Sequence, residues 1–281
     1  MSGSFLEAMV AASRARVRGA RQLVSEAVLA ERARHCPAPP PLTLATQGFD
    51  VIAELKLRSP AAGQLATGAE SLGARVRSYA RAGAAAVSVL TEPARFDGSL
   101  EHLIEAQQAL TPLGVPVMRK DFLVEPYQVL EARVAGAGGV LVILRLLSRE
   151  ATAALIDCAR SCGLFVLLEA FDAADLELMH QIVAAHQDGP ALLAGVNCRD
   201  LATLEVVPGR LVELAPLLPA SVSRVAESGV ATAADARRVA AAGYDLVLVG
   251  SALMRECDPA VLLHALLAAG RAARCECDRV S

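Results

Sequence analysis

Val115-Pro116-Val117-Met118-Arg119-Lys120-Asp121-Phe122-Leu123-Val124-Glu125-Pro126 is an apolar run that breaks into three consecutive charges and returns at once to apolar residues. Charge runs that sit in solvent seldom carry apolar flanks on both sides. The stretch therefore reads as a buried strand, Val115–Asp121, whose carboxyl end brings Arg119, Lys120 and Asp121 to the mouth of a pocket. Pro126 suits the first turn of a helix expected over Tyr127–Ala137. A lysine in such a mouth loses hydration, which lowers its pKa toward a useful acid–base range. Alone, the stretch reads equally well as a strand-end lysine pointing to water. Recurrence of the pattern decides between the two.

The same text of apolar strand, polar turn and amphipathic helix repeats along the chain. Strands are expected at Val51–Lys56, Ala85–Thr91, Val115–Asp121, Gly139–Arg145, Leu164–Ala170, Leu192–Cys198, Ser223–Ser228 and Leu246–Gly250. Their starts fall roughly 22 to 35 residues apart, the period of βα units. The runs are mostly continuous rather than alternating, as in strands covered on both faces. Ala-rich helices fill the gaps, at Gly68–Ala82, Ser99–Leu110, Arg149–Cys162, Asp172–Ala185 and Thr232–Ala242. An open doubly wound sheet shares this alternation. Eight units, with their polar residues at the carboxyl ends, predict an α/β protein of the (β/α)8 TIM barrel type.

Upstream, residues Ser4 to His35 recur at helical intervals and read as a helical extension. Its arginines, Arg14, Arg16, Arg18 and Arg21, read as a solvated helix face. Cys36-Pro37-Ala38-Pro39-Pro40-Pro41 then stops the helix and stiffens the connection. The expected organisation is an extension and connector over 1–41, the barrel over 42–273, and a frayed tail over 274–281.

Composition narrows the partners. The chain has 281 residues, 54% hydrophobic and 20% charged, so a large core is affordable and disorder is not expected. A net charge of −3 without a basic stripe argues against nucleic acid. No apolar stretch approaches the roughly 20 residues of a membrane span, and no secretory leader is visible. Seven cysteines without framework spacing read as reduced thiols, in keeping with a cytoplasmic protein. Either a monomer or a weak homodimer fits.

Polar residues gather at the strands' carboxyl ends. Glu54 and Lys56 close strand one, Thr91 and Glu92 follow strand two, and Lys120 and Asp121 close strand three. Glu169 closes strand five, Asn197 and Arg199 strand six, Glu227 and Ser228 strand seven, and Gly250 and Ser251 strand eight. In a barrel these ends converge on one rim, where active sites lie. Ser228-Gly229 and Gly250-Ser251 occupy the two loops where this fold holds phosphate, with a short helix expected over Ser251–Glu256. Glu54 and Lys56, two apart, face one side of their strand. A carboxylate and two lysines around a phosphate-bearing sugar suggest proton transfer beside a carbonyl: isomerisation, condensation or dehydration. The five histidines fall outside the strand ends, so no metal site is expected. No G-x-G-x-x-G follows strand one, so no dinucleotide cofactor is expected either.

Several strings together carry a more specific resemblance. Ala53-Glu54-Leu55-Lys56 with Ser59-Pro60, Ser88-Val89-Leu90-Thr91-Glu92 with Phe96-Asp97-Gly98-Ser99-Leu100, and Arg119-Lys120-Asp121-Phe122 with Pro126-Tyr127-Gln128 resemble the indole-3-glycerol-phosphate synthases. So do Gly195-Val196-Asn197-Cys198-Arg199-Asp200-Leu201, Ala226-Glu227-Ser228-Gly229-Val230 and Leu248-Val249-Gly250-Ser251-Ala252-Leu253-Met254. The resemblance runs from about Phe5 to Pro259. It implies a cofactor-free carboxy-lyase of tryptophan biosynthesis that closes 1-(2-carboxyphenylamino)-1-deoxyribulose 5-phosphate to indole-3-glycerol phosphate, releasing carbon dioxide and water. It further implies Lys120 as the general acid for ring closure, Lys56 as partner of the anthranilate carboxylate and acid in the dehydration, Glu169 as base, and Glu54 as the group that orients a lysine and the substrate. Ser59, Phe122, Asn197, Arg199, Glu227 and Ser228 would line the sugar and ring pocket, and Gly229, Gly250 and Ser251 would hold the phosphate.

Two departures stand out. Cys198 replaces the second asparagine of the motif, a position expected to be structural. Ala61-Ala62-Gly63-Gln64 lacks the Ser-Lys usual after Ser-Pro in a loop that closes over substrate. These leave room for a paralogue acting on a substituted anthranilate adduct. A sugar-phosphate isomerase on the same barrel would leave Lys56, Lys120 and Glu169 together unexplained, and a non-catalytic phosphate-binding barrel would leave the whole rim so.

Overall fold

Eight parallel strands close into a barrel in a computed structural model of the chain. They are β1 Asp50–Leu55, β2 Ala86–Leu90, β3 Val117–Lys120, β4 Gly139–Ile143, β5 Phe165–Ala170, β6 Leu192–Asn197, β7 Ser223–Glu227 and β8 Leu246–Val249. The structure describes all residues except 1, 47, 61–62, 66–69, 188–190, 201–202, 204, 208 and 279–281, and it leaves aside the side chains of 2–4 and 277–278. Ala61, Ala62, Gly68 and Leu201, quoted above, and residues 279–281 of the expected tail thus lie outside the described residues. Closure pairs β1 with both β8 (Asp50 opposite Leu246) and β2 (Ile52 opposite Ala86), so the barrel sheet has no open edge. The observed strands stop one or two residues short of the expected ones at several rim positions, because the chain there leaves the ladder to form loops.

The helices that follow the eight strands are Leu72–Arg81, Leu100–Leu110, Pro126–Val134, Arg149–Ser161, Ala173–Ala185, Gly209–Leu214, Ala233–Ala241 and Pro259–Asp278. Side chains of cap residues satisfy orphan N–H groups at several starts: Ser71 accepts from Ala74 N, Ser148 from Ala151 N and Asp172 from Asp175 N. The last helix runs on to Asp278, into the segment expected to fray, where Arg274 pairs with Asp245 at 2.9 Å and Arg237 with Glu276 at 2.5 Å. No helix among the described residues is long and apolar enough to cross a membrane.

Strand parity divides the core. Val51, Ala53, Val87, Val140, Val166, Leu168, Ala194 and Val247 pack outward against the helices. Ile52, Ala86, Met118, Leu141, Leu167, Leu193, Val225 and Leu248 fill the barrel interior. Because side chains alternate with period two, inward positions nearer the strands' carboxyl ends turn toward the mouth.

The extension is two helices, α1 Ser2–Leu23 and α2 Glu26–His35, broken at Ser25, whose side chain caps α2 by accepting from Val28 N. Met9, Phe5 and Leu6 join the apolar cluster of the barrel interior. Val17, Leu29 and Ala33 pack against Tyr127 and Leu130. The arginines of α1 correct the expectation of a uniformly solvated face. Arg14 and Arg18 are exposed, but Arg16 bonds Asp121 at 2.6 Å and Arg21 pairs with Glu125. Docking of α1 on the barrel rim places these two against carboxylates of the segment 121–125.

Candidate active site

Inward parity after Ile52, Met118, Leu167, Leu193 and Val225 yields Glu54, Lys120, Glu169, Asn197 and Glu227, and all five line a cavity of about 330 Å³ at the mouth. Lys56, Ser59, Phe122, Arg199, Ser228, Gly229, Gly250 and Ser251 line it too, so the structure brings every residue assigned a role above to one place. Thr91 and Glu92 do not line it. Thr91 accepts from Arg119 Nε at 3.1 Å and donates to Asp121 at 2.9 Å, while Glu92 caps the short helix Pro93–Phe96. Both hold loops.

The charged groups form two clusters. Lys56 Nζ lies 2.6 Å from Glu54 Oε1. Lys120 Nζ lies 3.0 Å from Glu227 Oε2 and 3.6 Å from Glu169 Oε1. Asn197 Nδ2 donates to Glu169 Oε1 at 2.6 Å, and Arg199 N donates to Asn197 Oδ1 at 2.9 Å, which fixes the amide's orientation. Glu227 Oε1 is buried with no hydrogen-bond partner among the described residues.

Electrostatics correct the expectation that desolvation lowers the Lys120 pKa. Burial does pull its ammonium down, but Glu169, Glu227 and Glu54 outweigh it and hold the pKa well above the ordinary lysine value. Burial likewise works against the Glu54 carboxylate, and Lys56 and Lys120 more than offset it, leaving its pKa below the usual carboxylate range. Glu227 goes the other way. Burial pushes it up to about 8, against the pull of Lys120 and aided by the neighbouring carboxylates.

Two glycines are required by close approach. A Cβ at Gly195 would collide with Glu227 Oε1, and one at Gly250 would collide with Glu54 Oε1. Gly250 therefore makes room for a carboxylate as well as for any ligand. In the loop after β7, Ser228 and Gly229 both have positive φ, 65° and 69°. That conformation turns the chain sharply at the cavity edge. Cys198 lies beneath it, fully buried, where a Cβ on Gly229 would come within 2.8 Å of its sulfur. Burial raises the Cys198 pKa, and its thiol supports the loop without lining the cavity.

An apolar wall completes the mouth. Phe122 meets Phe5 edge-on at 6.2 Å between ring centroids and Phe96 at 6.5 Å, and Phe171 lines the cavity as well. Phe5, Phe171 and Arg255 are not marked by the sequence as site residues. Phe5 reads there as one more apolar position of an amphipathic helix, and no local pattern tells which barrel surface such a face meets. Among the described residues no group of three or more His, Cys, Asp or Glu could hold a metal ion.

Comparison with known proteins fits this geometry. A profile of the family described as indole-3-glycerol phosphate synthase matches residues 6–266. The chain is 39% identical over 274 residues to the indole-3-glycerol phosphate synthase of Mycobacterium avium (strain 104), covering 96% of each. It is 45% identical over 224 residues to that of Kineococcus radiotolerans, covering 80% of this chain and 78% of the relative. Among solved structures, 3-hexulose-6-phosphate synthase from Salmonella typhimurium superposes with a TM-score of 0.58 at 13% identity, over 81% of this chain and 99% of the other. Thiamine phosphate pyrophosphorylase from Pyrococcus furiosus gives 0.56 at 16%, over 82% and 99%. These two likenesses carry the barrel fold alone.

Proposed function

Because the chain belongs to the indole-3-glycerol phosphate synthase family, carboxy-lyases of tryptophan biosynthesis that bind a phosphorylated substrate, we propose that its mouth residues divide the ring closure, decarboxylation and dehydration of 1-(2-carboxyphenylamino)-1-deoxyribulose 5-phosphate among them. The observation that carries the assignment is Lys120 held between two carboxylates, 3.0 Å from Glu227 and 3.6 Å from Glu169, with the Lys56–Glu54 pair in the same cavity.

In ring closure, the carboxylate-bearing ring carbon bonds to the sugar carbonyl carbon while the carbonyl oxygen gathers negative charge. Lys120, kept protonated by Glu169 and Glu54 and held 3.0 Å from Glu227, donates to that oxygen. Glu227 carries a proton of its own in the neutral range and can restore the one Lys120 gives up. Lys56 meets the anthranilate carboxylate before carbon dioxide leaves. Loss of carbon dioxide reforms the benzene ring; loss of the new hydroxyl as water then takes a proton from Lys56, and Glu169 accepts the proton from the new five-membered ring whose departure makes that ring aromatic.

Asn197 bonds Glu169 and so orients it, and Glu54 does the same for Lys56. Phe122, with Phe5 and Phe96, offers a flat apolar wall suited to the carboxyphenyl ring. Ser59, Arg199 and Ser228 face the sugar, and Gly229, Gly250 and Ser251 the phosphate, where the loops after β7 and β8 line the cavity. The barrel over 42–273, with the extension docked on it, is the catalytic unit. Incubating the purified chain with the carboxyphenylamino sugar phosphate tests this reading. Stoichiometric carbon dioxide and an indole chromophore support it; turnover of the adduct without carbon dioxide would refute it.

A further inference from the structure

We infer that Arg255 is a specificity-determining ligand of the substrate phosphate, the side chain that supplies the charge the rest of the mouth lacks. The inference rests on the placement of phosphate at the loops after β7 and β8 made above.

Arg255 ends the short helix Ser251–Arg255, which follows Gly250 directly, and its side chain lines the same cavity as Gly229, Gly250 and Ser251. The helix itself is anchored from behind. Leu253 and Met254 are buried, Tyr79 donates its hydroxyl to Met254 Sδ at 3.3 Å, and Arg75 donates to Leu253 O at 3.4 Å and Glu256 O at 2.9 Å. Arg75 thereby satisfies the carbonyls at the helix end, so Arg255 is not needed there. Its guanidinium is the helix's one charged group, exposed at the rim, and forms no ion pair with a described residue.

Charge explains why a cation at that spot matters. In the cavity floor Glu54 and Glu169 face Lys56, Lys120 and Arg199 while Glu227 keeps its proton at neutral pH, so the floor's small positive balance falls short of a carboxylate and a phosphate dianion together. Asp121, the other acidic lining group, is matched by Arg16 and Arg119. The substrate brings both into that mouth. Lys56 and Lys120 are each committed to carboxylates, and Glu54 lies against Gly250, close to the proposed phosphate loops. A dianion beside a carboxylate needs a compensating cation, and Arg255 is placed to provide it with a planar fork that suits phosphate.

Two measurements test this on the full chain. In the first, kcat and KM are measured for wild type, Arg255→Ala and Arg255→Lys, along with competitive inhibition by inorganic phosphate. Arg255→Ala is expected to raise KM and the phosphate inhibition constant by about 10- to 100-fold, the range of a charge-assisted pair, with kcat falling less than about threefold. Arg255→Lys should recover part of the loss, since it keeps the charge and drops the fork. In the second, a crystal of the wild type is soaked in inorganic phosphate. An ion on the Gly229, Gly250 and Ser251 N–H groups with Arg255 in hydrogen-bond range supports the inference. An ion there without Arg255, or an unchanged KM in Arg255→Ala, overturns it and leaves the phosphate site standing. An ion bound elsewhere overturns both.

Discussion

Arg16 Nη2 lies 2.6 Å from Asp121 Oδ1, tying the first helix of the chain to the residue that follows Lys120. The same guanidinium reaches Glu92 at 3.4 Å, and Ser13 links the Phe122 carbonyl at 2.5 Å to the Gln128 amide at 2.8 Å. The extension thus grips the loop after β3 from outside. Asp121 keeps Arg119, Thr91 and its neighbour's N–H without Arg16, so the loop is loosened by the loss and not abandoned. Arg16→Ala is expected to cost about 1 kcal/mol, discounted for partial exposure, and roughly 2 to 4 °C in Tm. A several-fold fall in kcat should accompany it. Thermal melts and kinetics beside Arg18→Ala, an exposed control on the same helix, check this. Equal effects in the two variants would make the Arg16 contact irrelevant.

Lys120→Ala should lose roughly 10² to 10⁴ in kcat while the fold persists, the range of a positioned general acid. Lys120→Arg should fail as well, because guanidinium is a poor proton donor and its plane does not fit between Glu169 and Glu227. Turnover at wild-type rate in either variant removes Lys120 from the chemistry.

Glu169→Gln keeps shape and polarity, so substrate binding should survive while kcat drops by roughly 10² or more as the proton acceptor is lost. Ring closure and decarboxylation precede dehydration. A single-turnover experiment should therefore release carbon dioxide ahead of product. If both slow together, Glu169 is only the ion-pair partner that holds Lys120.

If Gly250 only left the backbone open to phosphate, Gly250→Val would be expected to raise KM strongly. The structure changes that expectation: any Cβ at 250 runs into Glu54 Oε1, the atom 2.6 Å from Lys56. Even Gly250→Ala should therefore lower kcat by displacing Lys56, besides raising KM. A pure KM effect in Gly250→Ala would mean that Glu54 moves aside without consequence.

Glu227 should write a limb into the pH profile. Its folded pKa near 8 lies above the ordinary carboxylate value, so the proton is present at neutral pH and leaves as pH rises through about 8. Ionisation adds a negative charge beside Lys120, repels an anionic substrate and removes the proton reserve. kcat/KM is expected to fall above that pH, and Glu227→Gln should flatten the fall. Survival of the limb in the variant would assign it to another group. Linkage works in the same direction for stability. The native state binds the extra proton between the ordinary value and about 8, so this carboxyl's contribution declines with rising pH across that window.

Local pattern was enough for the barrel and its inward set. Continuous apolar runs such as Leu164–Ala170, punctuated by Ala-rich helices, admit few arrangements once eight units are counted. Period two then carries Glu54, Lys120, Glu169, Asn197 and Glu227 to one mouth without further information. What sequence could not decide was anything set by distances across the barrel. Lys120 and Glu227 are 107 residues apart and Arg16 and Asp121 105, and only closure and docking bring those pairs within 3.0 and 2.6 Å. The sign of the Lys120 shift depended on that convergence: burial alone lowers a lysine's pKa, and three carboxylates from three other strands reverse it. Chain order specifies which groups reach the rim, but an electrostatic field is a sum over positions in space, and those belong to the folded barrel.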